Sequence, residues 1–176
     1  MLFVIAVVAC RKEERAVEGV AVNAVKAEHQ AQAQALAKET ELDQDRATLN
    51  QIPLPTKSLY IDIHDPSRWS NPFLVVGPQY VTLRILLPDA NTSTVGQGTL
   101  LRPVGARRQE LQLRPADLDK AIVAIPAGAW HYGRVIAIAE SPEAPAKVRP
   151  QVRRNLEAAL RDLNNLGLVV EEWPAR

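Results

Sequence analysis

The sequence predicts an α+β two-layer sandwich, a mixed sheet covered by two helices, preceded by a long N-terminal helical spacer. Three observations predict it. Residues 11–50 are rich in Ala, Glu, Gln, Lys and Asp, with no proline and no aromatic residue. Beyond Pro55 the apolar residues switch to a period of two, the mark of half-buried strands. Two later stretches return to helical spacing, and each leads into a short run of β-branched and small apolar residues.

The spacer comes first. Most residue types between 11 and 50 are good helix formers, and Gly19 is the only glycine there. Val17, Val20, Ala24, Ala27 and Ala31 recur at 3-4 spacing, and Ala35, Leu42 and Leu49 continue at intervals of seven. Alanine dominates, so the apolar seam is thin. It suits a solvated spacer, although it could support a loose coiled coil or a stripe docked on a partner. At about 1.5 Å of rise per residue, such a helix reaches up to roughly 60 Å. Ile52-Pro53-Leu54-Pro55 stops it, because alternate prolines remove backbone donors and favour extended chain. These prolines set the expected boundary between a spacer with its linker (11–57) and an α+β domain (58–176).

Within the domain, Leu59, Ile61 and Ile63 alternate with Tyr60, Asp62 and His64, which predicts a first strand. Val81, Leu83, Ile85 and Leu87 repeat the alternation after a Gly77-Pro78 turn. Residues 88–98 read as a loop, with Asp89, Asn91, Ser93, Gly96 and Gly98 supplying turn chemistry. Short strands are expected at 99–104 and 109–114, joined across Gly105. Pro115 suits the first position of a helix and Asp117 its positive end; Leu118, Ile122 and Ile125 mark the inner face and Pro126 closes it. Val135, Ile136, Ala137, Ile138 and Ala139 read as a strand buried on both faces. After a Pro/Ala linker at 141–146, Val152, Leu156, Ala159, Leu160 and Leu163 form the clearest amphipathic helix, with Gly167 as its C-terminal cap. Leu168, Val169 and Val170 make the last strand, ending at Trp173-Pro174.

Composition narrows the classes. At 176 residues and 47% apolar content, the chain can hold one domain with a real core plus extensions. A formal net charge of +1 is too small a field for non-specific nucleic-acid binding, so no nucleic-acid partner is expected. One cysteine, Cys10, excludes an internal disulfide framework. No stretch approaches the roughly 20 apolar residues of a membrane-spanning helix.

Eight apolar residues, 2–9, run into Cys10, and charge follows at once in Arg11, Lys12, Glu13, Glu14 and Arg15. The run has the length of a signal-peptide core and is too short to span a bilayer. Read alone, it is also compatible with a buried strand in which Cys10 is an ordinary thiol. Val7-Val8-Ala9-Cys10 resembles the lipobox of bacterial lipoproteins. That resemblance implies that residues 1–10 contain a signal segment, that the chain is cut before Cys10, and that Cys10 is acylated as the new N-terminus. It implies a cell-envelope protein held to a membrane by lipid and facing the periplasm, on the outer rather than the inner membrane. Acyl chains hold by about 0.8 kcal/mol per buried methylene, so two or more anchor firmly.

The stretch from Leu111 to Glu172 is similar in element order to the periplasmic domains of the ExbD/TolR biopolymer-transport family. The matching pieces are 118–125, 135–139, 156–166 with Gly167, and Val169-Val170. That resemblance bears on fold alone, since the membrane helix with its proton-carrying aspartate has no counterpart here.

Candidate chemistry is sparse. Asp62, His64 and Asp65 are the densest potential metal ligands, yet no HxxE or HxH completes a set of three or four, so no metal site is expected. Their simpler reading is a solvent face and an Asp-Pro turn. Trp130, His131 and Tyr132 lie between Gly128 and Gly133, with Trp69 in another loop; such rings either bind a partner or cap the open end of a core. Arg149, Arg153 and Arg154, with Lys147 nearby, gather at the start of the long helix, where a phosphate or carboxylate would be welcome. Arg107-Arg108 is a similar pair. Nucleophile elbow, HExxH, P-loop and GxGxxG motifs are all missing, and Gly96-Gln97-Gly98 is no substitute. The expectation is a lipid-anchored, non-enzymatic adaptor without a cofactor, binding an envelope protein. The alternatives are a binding module for an anionic small ligand or cell-wall component and, last, a hydrolase around Asp62 and His64.

Overall fold

The computed structural model describes residues 5–87 and 107–174, with side chains from Lys26 onward. The loop expected at 88–98, the strand expected at 99–104 and Gly105 lie outside the described residues. The chain divides into two units, Met1–Asp43 and Gln44–Arg176.

Helix α1 (Ile5–Leu49) makes up the first unit and enters the second. Its backbone is already helical at residues 5–10, so the apolar run before Cys10 does not form a strand. Every side chain from 26 to 41 is exposed, and Leu36 is 64% exposed. That is the pattern of a solvated helix whose stability comes from propensity rather than packing. No helix among the described residues is long and apolar enough to cross a membrane.

The second unit begins earlier than the proline pair. Leu49 and Ile52 are buried, Arg46 Nε donates to the Asn165 carbonyl, and Arg134 Nη1 donates to Asn50 Oδ1. The linker itself is seated: Arg134 N donates to Pro53 O at 2.8 Å and Thr56 N to Tyr132 O at 3.1 Å. At Gly133 (φ +84°) a Cβ would stand 2.6 Å from Leu54 O and 2.7 Å from Pro53 O, so only glycine lets the linker lie this close. The boundary expected at residues 57–58 therefore moves back to residues 43–44, inside the helix.

The first expected strand is absent. Lys57–Leu59 form a 3-10 turn, and Tyr60 N, Ile61 N and Ile63 N close further short-range bonds to Lys57 O and Tyr60 O. Leu59 and Ile61 are exposed while Tyr60 is buried, which inverts the expected alternation. The N–H groups of Leu59, Tyr60, Ile61 and Ile63 are taken by the nearby carbonyls of Thr56, Lys57 and Tyr60, and the large Tyr60 ring is the residue that this turn buries. The strand that does form is β1 (Phe73–Val76), an unbroken apolar run between Pro72 and Gly77.

Strand β2 (Val81–Leu86) returns antiparallel to β1, and β3 (Arg108–Leu113) pairs antiparallel with β2. Pro115–Asp117 form a 3-10 turn that feeds α2 (Leu118–Val123). Strand β4 (Val135–Glu140) then lies parallel to β1, α3 (Arg149–Asn165) follows with Pro150 in its first turn, and β5 (Val169–Trp173) pairs parallel to β4. Among the described residues the sheet is mixed and five-stranded, in the order β3-β2-β1-β4-β5. Gly167 (φ +80°) ends α3 as the glycine cap expected there, with Leu168 N bonded to Leu163 O.

Helix α3 packs on β1, β4 and β5, with α2 beside it. Leu118, Ile122, Val152, Leu156 and Leu163 are buried with Leu74, Val76, Leu83, Ile136 and Ile138, the residues that alternate on one side of the strands. This is the two-layer α+β sandwich, with both helices on one face of the sheet.

Candidate functional site: the second face of the sheet

Strand register assigns the opposite face. Phe73 lies beside Arg84 and Ala137, Val75 beside Thr82 and Ala139, Thr82 beside Gln112, Arg84 beside Glu110, and Ala139 beside Trp173. Over β1, β4 and β5 this face carries a second, aromatic cluster: Tyr60, Trp69, Phe73 and Trp173, with Tyr132 and Ile63 packed against it. Trp69 is the hub, meeting Trp173 at 5.2 Å and Tyr60 at 5.7 Å, both edge to face, and Tyr132 at 5.1 Å. Its Nε1 donates to Pro72 O at 3.0 Å. Rings in these arrangements attract beyond their buried area, by about 0.5–1.5 kcal/mol per pair.

Asn71 holds the covering segment in place. Its Nδ2 donates to Gly133 O (2.8 Å) and Val135 O (2.7 Å), and its Oδ1 accepts from Tyr132 N (2.8 Å). Among the described residues it is the only fully buried polar side chain.

Toward β2 and β3 the cover stops, leaving an open groove of about 570 Å³ with Phe73, Val75, Ala139 and Trp173 as its apolar floor. Thr82, Arg84, Glu110, Gln112 and Glu143 supply its polar groups. A second hollow of about 420 Å³ continues it, sharing Pro66, Phe73, Arg84 and Glu110 and adding Asp65 and Arg108. Arg84 and Glu110 pair across β2 and β3 at 2.8 Å, and Arg108 donates to the Ser67 carbonyl, tying β3 to the turn at 65–69. Leaving out Glu140, whose carboxylate pairs with Arg153 of α3, the two hollows carry three carboxylates (Asp65, Glu110, Glu143) against two guanidinium groups (Arg84, Arg108).

A third, smaller cavity of about 140 Å³ lies beside the aromatic cluster, between Lys57, Tyr60, Ile61, Ile63, His64, Trp69, Glu171 and Trp173. Burial raises the Tyr60 hydroxyl above its ordinary pKa, and the Glu171 carboxylate that accepts its hydrogen bond raises it further.

The residues singled out by sequence lie elsewhere. Arg153 is ion-paired to Glu172 at 2.5 Å, Glu157 at 3.2 Å and Glu140 at 3.7 Å, so it ties α3 to β4 and β5; Glu172 first and then Glu157 raise its pKa and hold the guanidinium protonated. Arg154 Nη2 donates to Gln151 Oε1 at 2.7 Å, and Arg149 is exposed at the start of α3. Trp130 is buried, with its Nε1 unpartnered, Tyr132 joins the aromatic cluster, and His131 is exposed. None of the three cavities is lined by Arg149, Arg153, Arg154, Trp130, His131 or Tyr132. None of these three cavities joins the arginines to the aromatic loop.

Asp65 builds a turn, accepting from Ser67 N at 2.8 Å through its side chain and from Arg68 N and Trp69 N through its carbonyl. His64 stacks 6.2 Å from Trp173. No group of three or more His, Cys, Asp or Glu side chains converges among the described residues. Sequence reading missed Thr82, Arg84, Glu110 and Gln112, whose only signal was polar alternation on strands, and it missed Asn71 altogether.

Comparisons with family models, with curated proteins and with solved structures give no match.

Proposed function

We propose that this chain is a lipid-anchored cell-envelope protein, without catalytic activity of its own, that presents the open face of its sheet to another protein. Acylation at Cys10 would fix it to the membrane, and the helical spacer would hold the domain off the lipid surface. At about 1.5 Å per residue, residues 11–43 give a reach of roughly 50 Å.

One observation carries the reading: the groove over β1, β2 and β3, apolar in its floor and acidic in balance. A long open trough fits an extended segment better than a compact solute, and an excess of carboxylates favours a basic one. The occupant is therefore an extended, net-basic segment of an envelope protein with at least one apolar side chain for the floor. The competing reading, an anion held by Arg149, Arg153 and Arg154, has less support because Arg153 already faces three carboxylates.

A photo-crosslinking residue at Gln112, inside the groove, is compared with one at Arg161, on the exposed side of α3, in native envelopes. The expected result is one dominant adduct from position 112, through a basic stretch of the captured protein, that Glu143→Lys weakens. Equal or absent labelling at the two positions would overturn the reading. In the same cells, Cys10→Ser should shift the protein out of the membrane fraction; unchanged partitioning would remove the anchor from the proposal.

A further inference from the structure

We infer that β3 is a docking edge for a second copy of this chain, the two strands pairing antiparallel about Gln112. Among the described residues β3 is an outer strand of the sheet, and its strand pairing is to β2 alone. Residues 108–112 are exposed whichever face they lie on, so neither the helices nor the aromatic cluster covers the strand. Sheet edges are commonly protected by proline, lysine or a bulge. Arg108–Leu113 contains none of these, and it follows β2 in one unbroken register.

The main chain is in phase with such a partner. Leu87 N donates to Arg107 O at 2.9 Å, and the pairing with β2 alternates from there. Residues 107, 109, 111 and 113 therefore turn their backbone groups toward β2, whereas 108, 110 and 112 turn theirs to the open edge. Arg114 prolongs the alternation with extended backbone (φ −73°, ψ 146°), and the 3-10 turn at Pro115–Asp117 then ends it. With a two-fold axis at Gln112, that residue and the partner's Gln112 exchange both main-chain bonds. Glu110 does the same with the partner's Arg114 at each end.

The side chains favour a second copy over an arbitrary strand. Glu110-Leu111-Gln112-Leu113-Arg114 is complementary to its own reverse. Laid antiparallel, Glu110 faces the partner's Arg114 and Leu111 faces the partner's Leu113, twice each. Opposite charges and apolar pairs at directly opposed positions stabilise a ladder, and like charges there weaken it. The leucines share the helix side of the sheet, where Leu111 is 40% exposed beside the buried Leu83. Glu110 and Arg114 are open on the other side, with side chains 59% and 73% exposed. Glu110 already holds Arg84 and Arg114 already holds Asp117, but a carboxylate and a guanidinium each have room for a further partner. Moving the axis to Glu110 would oppose two carboxylates, and moving it to Leu111 would oppose Arg108 to the partner's Arg114.

The test uses the full chain in mild detergent with Cys10→Ser, so that one introduced cysteine is its sole thiol. Gln112→Cys places the two copies' Cα atoms about 5.5 Å apart across the axis, within disulfide reach. Gln109→Cys is as exposed on the same strand, yet it stands about 20 Å from its copy. Mild oxidation should give a covalent dimer from position 112 and little from 109. In the Gln112→Cys chain, Glu110→Arg and Arg114→Glu each oppose like charges and should weaken association by about tenfold. Mixing the two charge variants restores both ion pairs, so disulfides between unlike chains should return to the parent level. Equal cross-linking at 109 and 112, none at 112, or no recovery in the mixture would overturn the inference. Association through α1 alone would remove the contrast between 109 and 112, and so counts against it. All four substituted side chains are exposed, and the recovery in the mixture itself reports intact folds. The purified chain gives this answer without any envelope partner. In the envelope experiment an adduct of the chain with itself at position 112 is told by its mass from one with a basic segment, so the two proposals stand or fall separately.

Discussion

Asn71 does at one position what a stretch of backbone pairing would otherwise do. Its amide joins the approach to β1 with the turn that opens β4, satisfying two carbonyls and one N–H in a dry setting. An amide is the side chain suited to this, since it donates and accepts at once. Asn71→Ala would leave Val135 O and Tyr132 N without this partner, while Gly133 O keeps its bond from Val135 N, and an unsatisfied buried group costs about 1–3 kcal/mol. We expect the midpoint of urea unfolding to fall by an amount equivalent to about 2–4 kcal/mol, with the slope unchanged. A variant within 0.5 kcal/mol of the parent, by the same ~1 kcal/mol scale for one hydrogen bond, would show that water takes over the contacts. Asn71→Asp keeps the acceptor for Tyr132 N but turns a carboxylate oxygen toward two carbonyls, so it should also lose stability near neutral pH.

At the scale of elements, α3 separates two kinds of interaction that look alike in a contact diagram. Arg153 reaches three carboxylates, but its side chain is 47% exposed, and screened pairs of this kind are worth about 0–1 kcal/mol. Leu156 makes no polar contact and is fully buried between helix and sheet, where truncation to alanine costs about 2–5 kcal/mol. Thermal melts should therefore rank Leu156→Ala far below the parent and Arg153→Gln close to it; the reverse order would mean that the arginine network organises the layer. The same contrast explains what was legible. Helix α3 and strands β2 and β4 announced themselves because the helix and β2 have one wet and one dry side, and β4 is too apolar to be anything but buried. Strand β1 was hidden: Phe73 and Leu74 point to opposite faces and both are buried, so no alternation marks it. Leu59, Ile61 and Ile63 showed the period of a strand without a neighbour to pair with. The groove residues Thr82, Arg84, Glu110 and Gln112 are ordinary on their own strands, and only the β1-β2-β3 register makes them one surface.

At the scale of the whole molecule, the domain boundary is the most practical correction. Prolines mark where a helix must stop, not where a core begins, and Leu49 and Ile52 belong to the core although they precede Pro53. A chain starting at Gln44 should melt as cooperatively as the full protein and at nearly the same temperature. One starting at Thr56 loses two buried aliphatic side chains and the Arg134–Pro53 bond, and should melt well below it or populate a molten state. Equal melting of the two fragments would return the boundary to the prolines. Sheet order has a different consequence, in time rather than energy. The meander β1-β2-β3 can form as soon as residue 113 is free, but the centre of the sheet is the parallel pair β1–β4, in which Phe73 waits for Ala137. The last strand, β5, closes only at Trp173. A chain delivered from its N-terminus, whether from a ribosome or through a membrane pore, thus reaches the far side with its helix free to form and its domain still open. Loop closure over that span must precede the contacts that reward it, which slows folding. The topology keeps the polypeptide threadable until almost all of it has passed.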